Sequence, residues 1–310
     1  MDIILSVIIV NWNTKELLRN CLKSLEKYLG LDNISYEIIV VDNASSDGSQ
    51  EMVKKEFPYV KLIKNKENLG FVKANNQAAK IAKGKYLLLL NSDTEVIGTG
   101  VKEIIEFMER NPKIAIVGGK VYNPDMSIQR SCRRFPSLWR LYMQNTFNLV
   151  KHIPTPFYNR YIMKNFDYNS IRKVDWVSGA YMYIKKELVD KYGLFDENIF
   201  MFYEDTLLCY KFRKLGYDTY FYPSAPIIHY FGESRKKVKI IAIYNAFKSS
   251  VYYVSQVYSL KIAKLYKKFV ILTWKFFYYY FKLSSSVSQW SKFKKKKEQF
   301  YNLLKLCCNL

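Results

Sequence analysis

The first 120 residues alternate between short apolar runs of strand length and longer segments with helical periodicity. The apolar runs are residues 3–10, 37–41, 60–63, 86–90 and 114–117, and the helical segments between them are 14–28, 50–57, 71–82 and 101–110. Runs that are apolar throughout, separated by helices, are typical of a mostly parallel sheet covered by helices on both sides. The sequence therefore predicts an α/β fold.

Cysteine content and the N-terminus indicate the compartment. Five cysteines in 310 residues, with no Cys-x-x-Cys pair, argue against a disulfide scaffold and against a structural zinc site. A reducing, cytosolic compartment is the default expectation. Asp2 precedes a short apolar run that ends in Asn11-Trp12-Asn13, which predicts the first strand of a domain and no signal peptide.

Charge is distributed unevenly along the chain, whose formal net charge is +22. Residues 234–310 carry 17 lysines and arginines against one acid, Glu298. We therefore predict a domain at 1–233 and a basic helical tail at 234–310. Such a tail usually has an anionic partner, either a membrane surface or nucleic acid.

Polar residues follow three of the predicted strands. They are Asn11-Trp12-Asn13 after the first strand, residues 42–49 after the second and residues 91–95 after the fourth. In open α/β sheets ligands bind beyond the carboxyl ends of the strands. Each segment alone fits an Asx turn or a helix cap, and Asn13 with Glu16 fits a capping box. Three segments at one rim favour a ligand site, and the chain has no dinucleotide or Walker fingerprint.

Four ordered segments carry a family resemblance: VIIVNWN at 7–13, VVDNASSDGS at 40–49, ENLGF at 67–71 and LLLLNSD at 87–93. They resemble family 2 glycosyltransferases of the GT-A fold, in particular the rhamnosyltransferase-like enzymes of surface polysaccharide synthesis. The resemblance spans about residues 3–233 and implies a donor-binding half to about residue 120 and an acceptor half at 121–233. It implies a nucleotide-sugar donor linked to dTDP, UDP or GDP, a divalent metal (Mg²⁺ or Mn²⁺), a saccharide or polyprenyl-linked acceptor, and inversion at the anomeric carbon.

The resemblance also implies donor-binding roles. Asp42 is expected to contact the base or ribose, and Asp93 to bind the metal as the second acid of a D-x-D motif whose first acid is Asn91 here. With one carboxylate in the motif, the donor diphosphate must supply several metal ligands, as Mg²⁺ sites often allow. The other expected donor-binding residues are Val10, Asn11, Asn13, Asn68, Gly70, Lys73 and Ser92.

The acceptor half contains a second pair of motifs. Residues 175–180 predict a strand that enters a tight turn, and the resemblance places the acceptor beside Trp176, Gly179 and Ala180. It makes Asp205 the catalytic base, which the chemistry needs because a sugar hydroxyl is a poor nucleophile. The adjacent Glu204 is expected to orient Asp205 or to raise its pKa. The alternative is that both acids only favour a helix N-terminus.

Two further features leave alternatives open. His229, one of two histidines, lies at the end of an apolar run, where the family often places a histidine near the metal. A lone histidine among aromatic residues also fits a packed core position. Three arginines, Arg130, Arg133 and Arg134, fit either a clamp for phosphate or acceptor, or a solvated basic loop.

Lysines recur every seven residues in the tail, at Lys261, Lys268, Lys275 and Lys282, and Lys264 falls on the same side. The rest is largely aromatic, so we expect the side with Trp274 and Phe276 to lie in a membrane interface. The lysine-free run 269–274 is too short to span a membrane. Residues 294–297 add a polybasic cluster. The alternatives are a packing helix with a lysine edge, or a single-stranded nucleic-acid site, for which no other motif is present.

Together these features predict a peripheral enzyme at the cytoplasmic face of a membrane, with no clear transmembrane helix. One alternative is a sugar nucleotidyltransferase, which typically has a Gly-rich loop with Arg or Lys after the first strand. That loop is missing from this sequence. The other is a lipid-binding or nucleic-acid-binding module that retains a non-catalytic transferase domain.

Overall fold

The computed structural model describes residues 2–146, 156–230, 239–287 and 291–308. In chain order its strands are β1 Leu5–Asn11, β2 Tyr36–Asp42, β3 Lys61–Lys64, β4 Tyr86–Asn91, β5 Thr94–Val96, β6 Ile114–Gly118, β7 Val121–Tyr122, β8 Cys132–Arg133, β9 Arg172–Val174, β10 Trp176–Val177, β11 Tyr181–Lys185, β12 Asp218–Phe221 and β13 Ile227–His229. Its helices are α1 Lys15–Asp32, α2 Ser49–Glu56, α3 Gly70–Ile81, α4 Val101–Arg110, α5 Leu138–Thr146, α6 Pro156–Tyr161, α7 Lys186–Tyr192, α8 Glu204–Lys214, α9 Lys239–Val257, α10 Leu260–Val287 and α11 Ser291–Cys308.

Within the described residues the central sheet has the strand order β3-β2-β1-β4-β11-β6-β12-β9. Strands β3, β2, β1 and β4 are parallel to one another, and β11 is antiparallel to both β4 and β6. Successive residues of β1, such as Val7, Ile8 and Ile9, are fully buried because side chains on both faces of the strand are covered. The predicted α/β fold with a mostly parallel sheet is confirmed.

A small second sheet has the order β5-β13-β7. Strand β13 is antiparallel to β5, with His229 opposite Thr94, and parallel to β7, with Ile227 opposite Val121. This pairing brings the last described strand beside the residues that follow β4. Long-range strand pairing therefore places His229 in the neighbourhood of Asp93.

The chain divides into two compact units. Unit 1 comprises Met1–Phe135 and Asn159–Lys236, and unit 2 comprises Pro136–Tyr158 and Lys237–Leu310. The predicted boundary between residues 233 and 234 falls within 231–238, outside the described residues. Unit 2 also takes in residues 136–158, which the sequence analysis assigned to the acceptor half.

Unit 2 is a helical body whose core includes part of the basic tail. Trp274 of α10 is 1% exposed, and its ring centroid lies 4.7 Å from that of Phe247 in α9. Its indole N–H donates a 2.7 Å hydrogen bond to the carbonyl of Asn145 in α5. The expectation that the Trp274 side faces a membrane is therefore wrong, because that side packs against α5 and α9. None of the described helices is long and apolar enough to cross a bilayer.

Candidate active site

Three strand ends meet at one edge of the central sheet. Because β2, β1 and β4 are parallel neighbours, their carboxyl ends lie at the same edge. Asn11 pairs with Asp42, and Val10 pairs with Asn91. The structure thus brings together the three polar segments that the sequence analysis placed at one rim.

The carboxylate of Asp42 is buried and accepts three hydrogen bonds from neighbouring residues. Its Oδ2 accepts from Asn11 Nδ2 at 2.8 Å, and its Oδ1 accepts from Ser45 N at 2.9 Å and from Gln50 Nε2 at 2.7 Å. The residue is 1% exposed. An ionised carboxylate has about four acceptor positions, so three protein donors leave one for a ligand hydroxyl.

Asn13 links β1 to the loop that follows β2. Its backbone conformation is left-handed, with φ 54°, and its Oδ1 accepts from Ser46 N at 2.8 Å. The backbone N–H of Lys15 donates to Asp47 Oδ2 at 2.8 Å. The expected capping box between Asn13 and Glu16 is therefore wrong. The side chain of Asn13 bonds to the loop after β2, and the N-cap of α1 is Thr14, whose side chain makes no hydrogen bond to the first turn of the helix.

Two hydroxyls tie β1 to the segment after β4. Thr14 donates through Oγ1 to Asn11 Oδ1 at 2.7 Å, and this Oγ1 lies 2.9 Å from Ser92 Oγ. All three side chains are buried. Ser92 therefore contacts Thr14 inside the protein and holds the neighbouring Asp93 close to the β1 end.

Asp93 and His229 come together, as the resemblance implied. His229 Nε2 lies 3.2 Å from Asp93 Oδ1 and 3.3 Å from Asn91 Nδ2. The backbone N–H of Tyr230 donates to the carbonyl of Asp93 at 2.9 Å, which fixes the two segments side by side. His229 is 3% exposed. A carboxylate oxygen and an imidazole nitrogen at this spacing form a pair of ligands suited to a divalent cation.

Gln129 is a residue that sequence reasoning missed. His229 Nδ1 lies 2.7 Å from Gln129 Oε1, on the opposite side of the ring from Asp93. No local pattern could have indicated it, because the contact joins residues 100 positions apart through the β7–β13 pairing. Among the described residues no group of three or more His, Cys, Asp or Glu side chains forms a metal cluster.

The start of α3 depends on Gly70. Asn68 Oδ1 accepts from Gly70 N at 2.9 Å, and Gly70 has a φ of 83°. A Cβ at this position would lie 2.6 Å from the ring of Phe200. Lys73, in the first turn of α3, is exposed and forms no ion pair with the part of the chain that the structure describes. Asn68 and Gly70 thus shape the loop, and Lys73 is the cation available there.

Asp205 is held by three donors at the start of α8. Its Oδ2 accepts from Gly179 N at 3.1 Å, and its Oδ1 accepts from Thr206 N at 2.6 Å and Thr206 Oγ1 at 3.1 Å. Burial raises the pKa of Asp205 above its ordinary value, although these bonds and the charge of Arg133 act to lower it. Glu204 precedes it as the first residue of the helix.

The backbone before Asp205 is strained. Phe202 and Tyr203 both have left-handed conformations, with φ of 69° and 66°. Bulky side chains rarely adopt these values, and each costs on the order of 1–3 kcal/mol. Strain of this kind persists where the surrounding fold fixes the backbone, and here it lies directly before the predicted base.

A short turn joins the predicted base to the predicted metal motif. Gly179 donates to Asp205, and the next residue, Ala180, accepts from the backbone N–H of Asn91 at 3.1 Å. Trp176 Nε1 donates to a backbone carbonyl of residue 134 at 2.9 Å. Gly179 and Ala180 therefore connect Asp205 to Asn91, whereas Trp176 is bonded to the segment at residue 134.

The arginines divide into two kinds. Arg130 donates to two backbone carbonyls, and Arg134 lies 3.4 Å from the carboxylate of Asp175, so both are used within the protein. The guanidinium of Arg133 stacks 5.5 Å from the ring centre of Trp176. The charge of Arg133 also acts on Asp205 and lowers its pKa.

Comparison with known proteins decides the family. The sequence model of glycosyl transferase family 2 matches residues 6–169. The chain belongs to this family. This glycosyltransferase is 26% identical over 222 residues to N-acetylglucosaminyl-diphospho-decaprenol L-rhamnosyltransferase of Mycobacterium tuberculosis. The match covers 66% of this chain and 71% of the relative. The predicted family, the relation to rhamnosyltransferases and the enzyme class are confirmed.

Solved structures share the fold of this glycosyltransferase. A mannosyltransferase from Pyrobaculum calidifontis in complex with GDP-Man and Mn²⁺ matches with a TM-score of 0.51 and 13% identity, over 97% of this chain and 84% of the other. TarS from S. aureus in complex with UDP matches with a TM-score of 0.52 and 17% identity, over 78% of this chain and 64% of the other. The predicted GT-A fold is confirmed.

Proposed function

We propose that this glycosyltransferase moves a sugar from a nucleoside-diphosphate donor to a saccharide or lipid-linked saccharide acceptor, with inversion at the anomeric carbon. The observation that carries the proposal is the two-residue link from Asn91 through Ala180 and Gly179 to Asp205. It supports a single reaction centre in which the donor diphosphate and the acceptor hydroxyl meet.

The donor nucleoside is proposed to bind at the β1 and β2 ends. Asp42 retains one acceptor position, Asn11 donates to its Oδ2, and the amide oxygen of Asn13 binds Ser46 in the loop after β2. An acid at the carboxyl end of a strand suits a ribose hydroxyl. Val10, Asn68, Gly70 and Lys73 are assigned to the same donor, with Lys73 as the cation for the diphosphate.

The metal ligands proposed are Asp93 and His229. Their donor atoms lie 3.2 Å apart, so one oxygen and one nitrogen can face the same ion, and the donor diphosphate completes the set. When bound, Mg²⁺ or Mn²⁺ stabilises the negative charge of the departing nucleoside diphosphate. Two solved relatives support the donor class, since their complexes contain UDP in one case and GDP-Man with Mn²⁺ in the other.

Asp205 is proposed to accept the proton of the attacking hydroxyl. The N–H groups of Gly179 and Thr206 orient its two oxygens, and its raised pKa makes it a better base than an exposed aspartate. Trp176 and Arg133 are proposed to contact the acceptor. The mycobacterial relative is named for a diphospho-decaprenol acceptor, and an arginine beside an indole suits a diphosphate followed by a sugar ring.

Transfer assays with matched acceptors test this function. UDP-, GDP- and dTDP-linked sugars are each incubated with Mn²⁺ and either a prenyl-diphosphate-linked saccharide or the same saccharide free. We expect one donor to be consumed, with an inverted linkage seen by NMR in the product. Release of pyrophosphate from a sugar phosphate and a nucleoside triphosphate would instead indicate a nucleotidyltransferase. Absence of both reactions, with nucleotide binding retained, would indicate a binding module.

The membrane role is proposed for a stripe of α10 that contains Phe276 but not Trp274. Leu265, Phe269, Leu272, Phe276 and Leu283 are exposed at intervals of four, three, four and seven residues, which is one stripe of a helix. The four lysines of the seven-residue pattern and Lys264 are exposed as well, along one side of that stripe. The helix carries no Asp or Glu.

The occupant of this stripe is proposed to be an anionic membrane surface. An apolar stripe bordered by lysines matches the boundary between acyl chains and negative headgroups. Pairing with a second copy of α10 is disfavoured because lysines would face lysines, with no acid in the helix to complement them. The exposed cluster at Lys294, Lys295 and Lys296 adds to the attraction.

Vesicle flotation tests the stripe by substitution, since truncating α10 would remove Trp274 from the core of unit 2. The double variant Phe269→Ser with Phe276→Ser is compared with Leu31→Ser, which changes an exposed leucine of α1. We expect wild type and Leu31→Ser to float with anionic vesicles and the double variant to remain in the pellet fraction. Equal flotation of all three proteins, or none with anionic vesicles, would contradict the proposal.

A further inference from the structure

Residues 195–205 form a segment that ends at the predicted base, and we call it the base segment. It is attached to helix α3 through the amide side chain of Asn76. Asn76 Oδ1 accepts from the backbone N–H of Phe195 at 3.1 Å, and Asn76 Nδ2 donates to the carbonyl of the same residue at 2.9 Å. The second hydrogen of Nδ2 is donated to Glu197 Oε1 at 3.1 Å. One side chain of α3 therefore satisfies both backbone polar groups of a residue 119 positions away.

Apolar contacts join the base segment to the first turn of α3 as well. Phe195 is 6% exposed, and its ring centroid lies 6.0 Å from that of Phe71. The ring of Phe200 covers Gly70 so closely that a Cβ there would lie 2.6 Å from it. The base segment thus lies along α3 from its start at Gly70 to Asn76, and it is held by packing at one end of this contact and by hydrogen bonds at the other.

Helix α3 also contacts the turn that holds the carboxylate of Asp205. A Cβ built on Gly179 would lie 3.6 Å from Phe71 Cε1 and 3.7 Å from the Cβ of Asp205. The ring of Phe71 therefore packs beside Gly179, whose backbone N–H donates to Asp205 Oδ2 at 3.1 Å. The same helix supports the beginning of the base segment and the backbone donor at its end.

Helix α3 is fixed in turn to the end of β2, where Asp42 lies. Asn43 Nδ2 donates to the carbonyl of Gly70 at 3.2 Å, and Asn65 Nδ2 donates to Asn43 Oδ1 at 2.8 Å. The amides of Asn65 and Gln77 are paired, with distances of 3.0 Å and 3.1 Å between their donors and acceptors. Both ends of the contact with the base segment are therefore referred to the strand that carries Asp42.

We propose that α3 sets the position of Asp205 relative to the bound donor, with Asn76 as the positioning residue that attaches the base segment to the helix. This inference rests on the proposed function, in which Asp205 is the base and α3 contributes to donor binding. Phe202 and Tyr203 have left-handed backbones, with φ of 69° and 66°, so the segment relaxes unless it is held on both sides of them. Asn76 holds it on one side, and the donors to Asp205 hold it on the other.

Hydrogen exchange measured by mass spectrometry tests the attachment without any substrate. Asn76→Ala removes the partners of both polar groups of Phe195, so peptides from 195–205 should exchange about tenfold faster, while peptides from β4 should not change. Asn111→Ala is the matched control, because Asn111 Nδ2 also donates to a backbone carbonyl, that of Phe107 in α4. It should leave exchange in 195–205 as in the wild type.

A second variant separates attachment from general stability. Asn76→Asp keeps the volume of the side chain and the acceptor for the N–H of Phe195, but it loses the donor to the carbonyl, so it should give the same local increase. Unchanged exchange in 195–205 in both variants would overturn the proposal. Faster exchange throughout unit 1 in both variants would also overturn it, because Asn76 would then only stabilise the fold.

Transfer kinetics give the second measurement. Calorimetric titration with the nucleoside diphosphate that the wild type releases, whether UDP, GDP or dTDP, counts the functional sites. We expect kcat per functional site to fall by about 10- to 100-fold in Asn76→Ala, with KM for the donor within about twofold. Fewer sites with an unchanged kcat per site would overturn the positioning role.

A double-mutant cycle shows whether Asn76 acts through the base. In the Asp205→Asn background, Asn76→Ala should lower kcat by less than about twofold, because the group that Asn76 positions is already lost. Equal fold-losses in both backgrounds would overturn the proposal. If the wild type transfers no sugar from any of the donors, the proposed function fails, while hydrogen exchange still decides whether Asn76 attaches the base segment to α3.

Discussion

The backbone N–H of Gly179 donates to the carboxylate of Asp205 at 3.1 Å. Ala180 follows Gly179, and β11 begins at the next residue, Tyr181. Because Ala180 is also bonded to Asn91, the position of the carboxylate is tied to the edge of the central sheet. Movement of Asp205 relative to the metal motif would require a break in this backbone link. The carboxylate of Asp205 is therefore preorganised, because backbone N–H groups in fixed positions hold it and restrict rotation of its side chain.

Replacing the carboxylate should separate catalysis from donor binding. We expect Asp205→Asn to lower turnover by about 10²-fold or more, at the low end of general-base contributions. Donor affinity should stay within about twofold, because the substituted group acts on the acceptor. Steady-state rates together with calorimetric titration of UDP and Mn²⁺ check both parts. A variant with near wild-type turnover would remove Asp205 from the mechanism.

The acid limb of the pH profile should report Asp205. Burial raises the pKa of this carboxyl, so the base is protonated and lost as pH falls through a value above that of an ordinary aspartate. The charge of Arg133 opposes this shift, so Arg133→Gln should move the acid limb of kcat/KM to higher pH. Arg130→Gln serves as the control because its guanidinium is bonded to backbone carbonyls. Identical profiles for the two variants would contradict the assignment.

Metal-dependent donor binding should depend on Asp93. We expect Asp93→Ala to bind UDP with an affinity that Mn²⁺ no longer improves, since one of two protein ligands is removed. Calorimetry with and without Mn²⁺ measures the difference. Glu95→Ala, two residues along the same segment, is the matched control and should behave as wild type. Full Mn²⁺ dependence in Asp93→Ala would show that the ion is held elsewhere.

The start of α3 offers a stability test with an internal control. Gly70→Ala introduces a Cβ at φ 83°, 2.6 Å from the ring of Phe200 and 3.0 Å from its carbonyl oxygen. We expect a loss of about 2 kcal/mol or more in the free energy of unfolding. Gly30→Ala in α1 meets no atom within 4 Å and should stabilise the protein by roughly 0.5–1 kcal/mol. Urea unfolding of both variants decides, and equal effects would contradict the steric argument.

Local sequence patterns predicted most of the strands and helices of unit 1, because its central strands are buried and buried strands are apolar throughout. The runs 86–90 and 114–117 are apolar throughout, and both are buried strands. Strand-end positions then placed Asp42 and Asp93 at one edge without knowledge of the tertiary structure. Their surroundings, by contrast, depend on contacts between distant residues. Asn13 bonds to Ser46 across 33 positions, and no capping pattern within one helix can include that bond.

The tail shows a different limit of sequence reasoning. Helical spacing identified the lysine side of α10, but it could not rank the remaining sides by exposure. Trp274 and Phe276 were both expected to face lipid, but Trp274 is 1% exposed, whereas Phe276, two residues later, is 65% exposed. The difference lies in α5 and α9, which cover the Trp274 side, and neither helix could be assigned to α10 from periodicity. Amphipathic patterns indicate that a helix has faces, and packing partners decide which face is covered.

Packing of α5 with α9 and α10 has a consequence for synthesis of the chain. Unit 2 is assembled from residues 136–158 and residues 237–310, so the whole second half of unit 1 lies between its two parts. A nine-residue helix such as α5 is marginal by itself in water. During synthesis, α5 therefore lacks its packing partners until α10 has been made and Trp274 can donate to the carbonyl of Asn145. Unit 1 can therefore be complete before unit 2, which closes only after α10 has been synthesised.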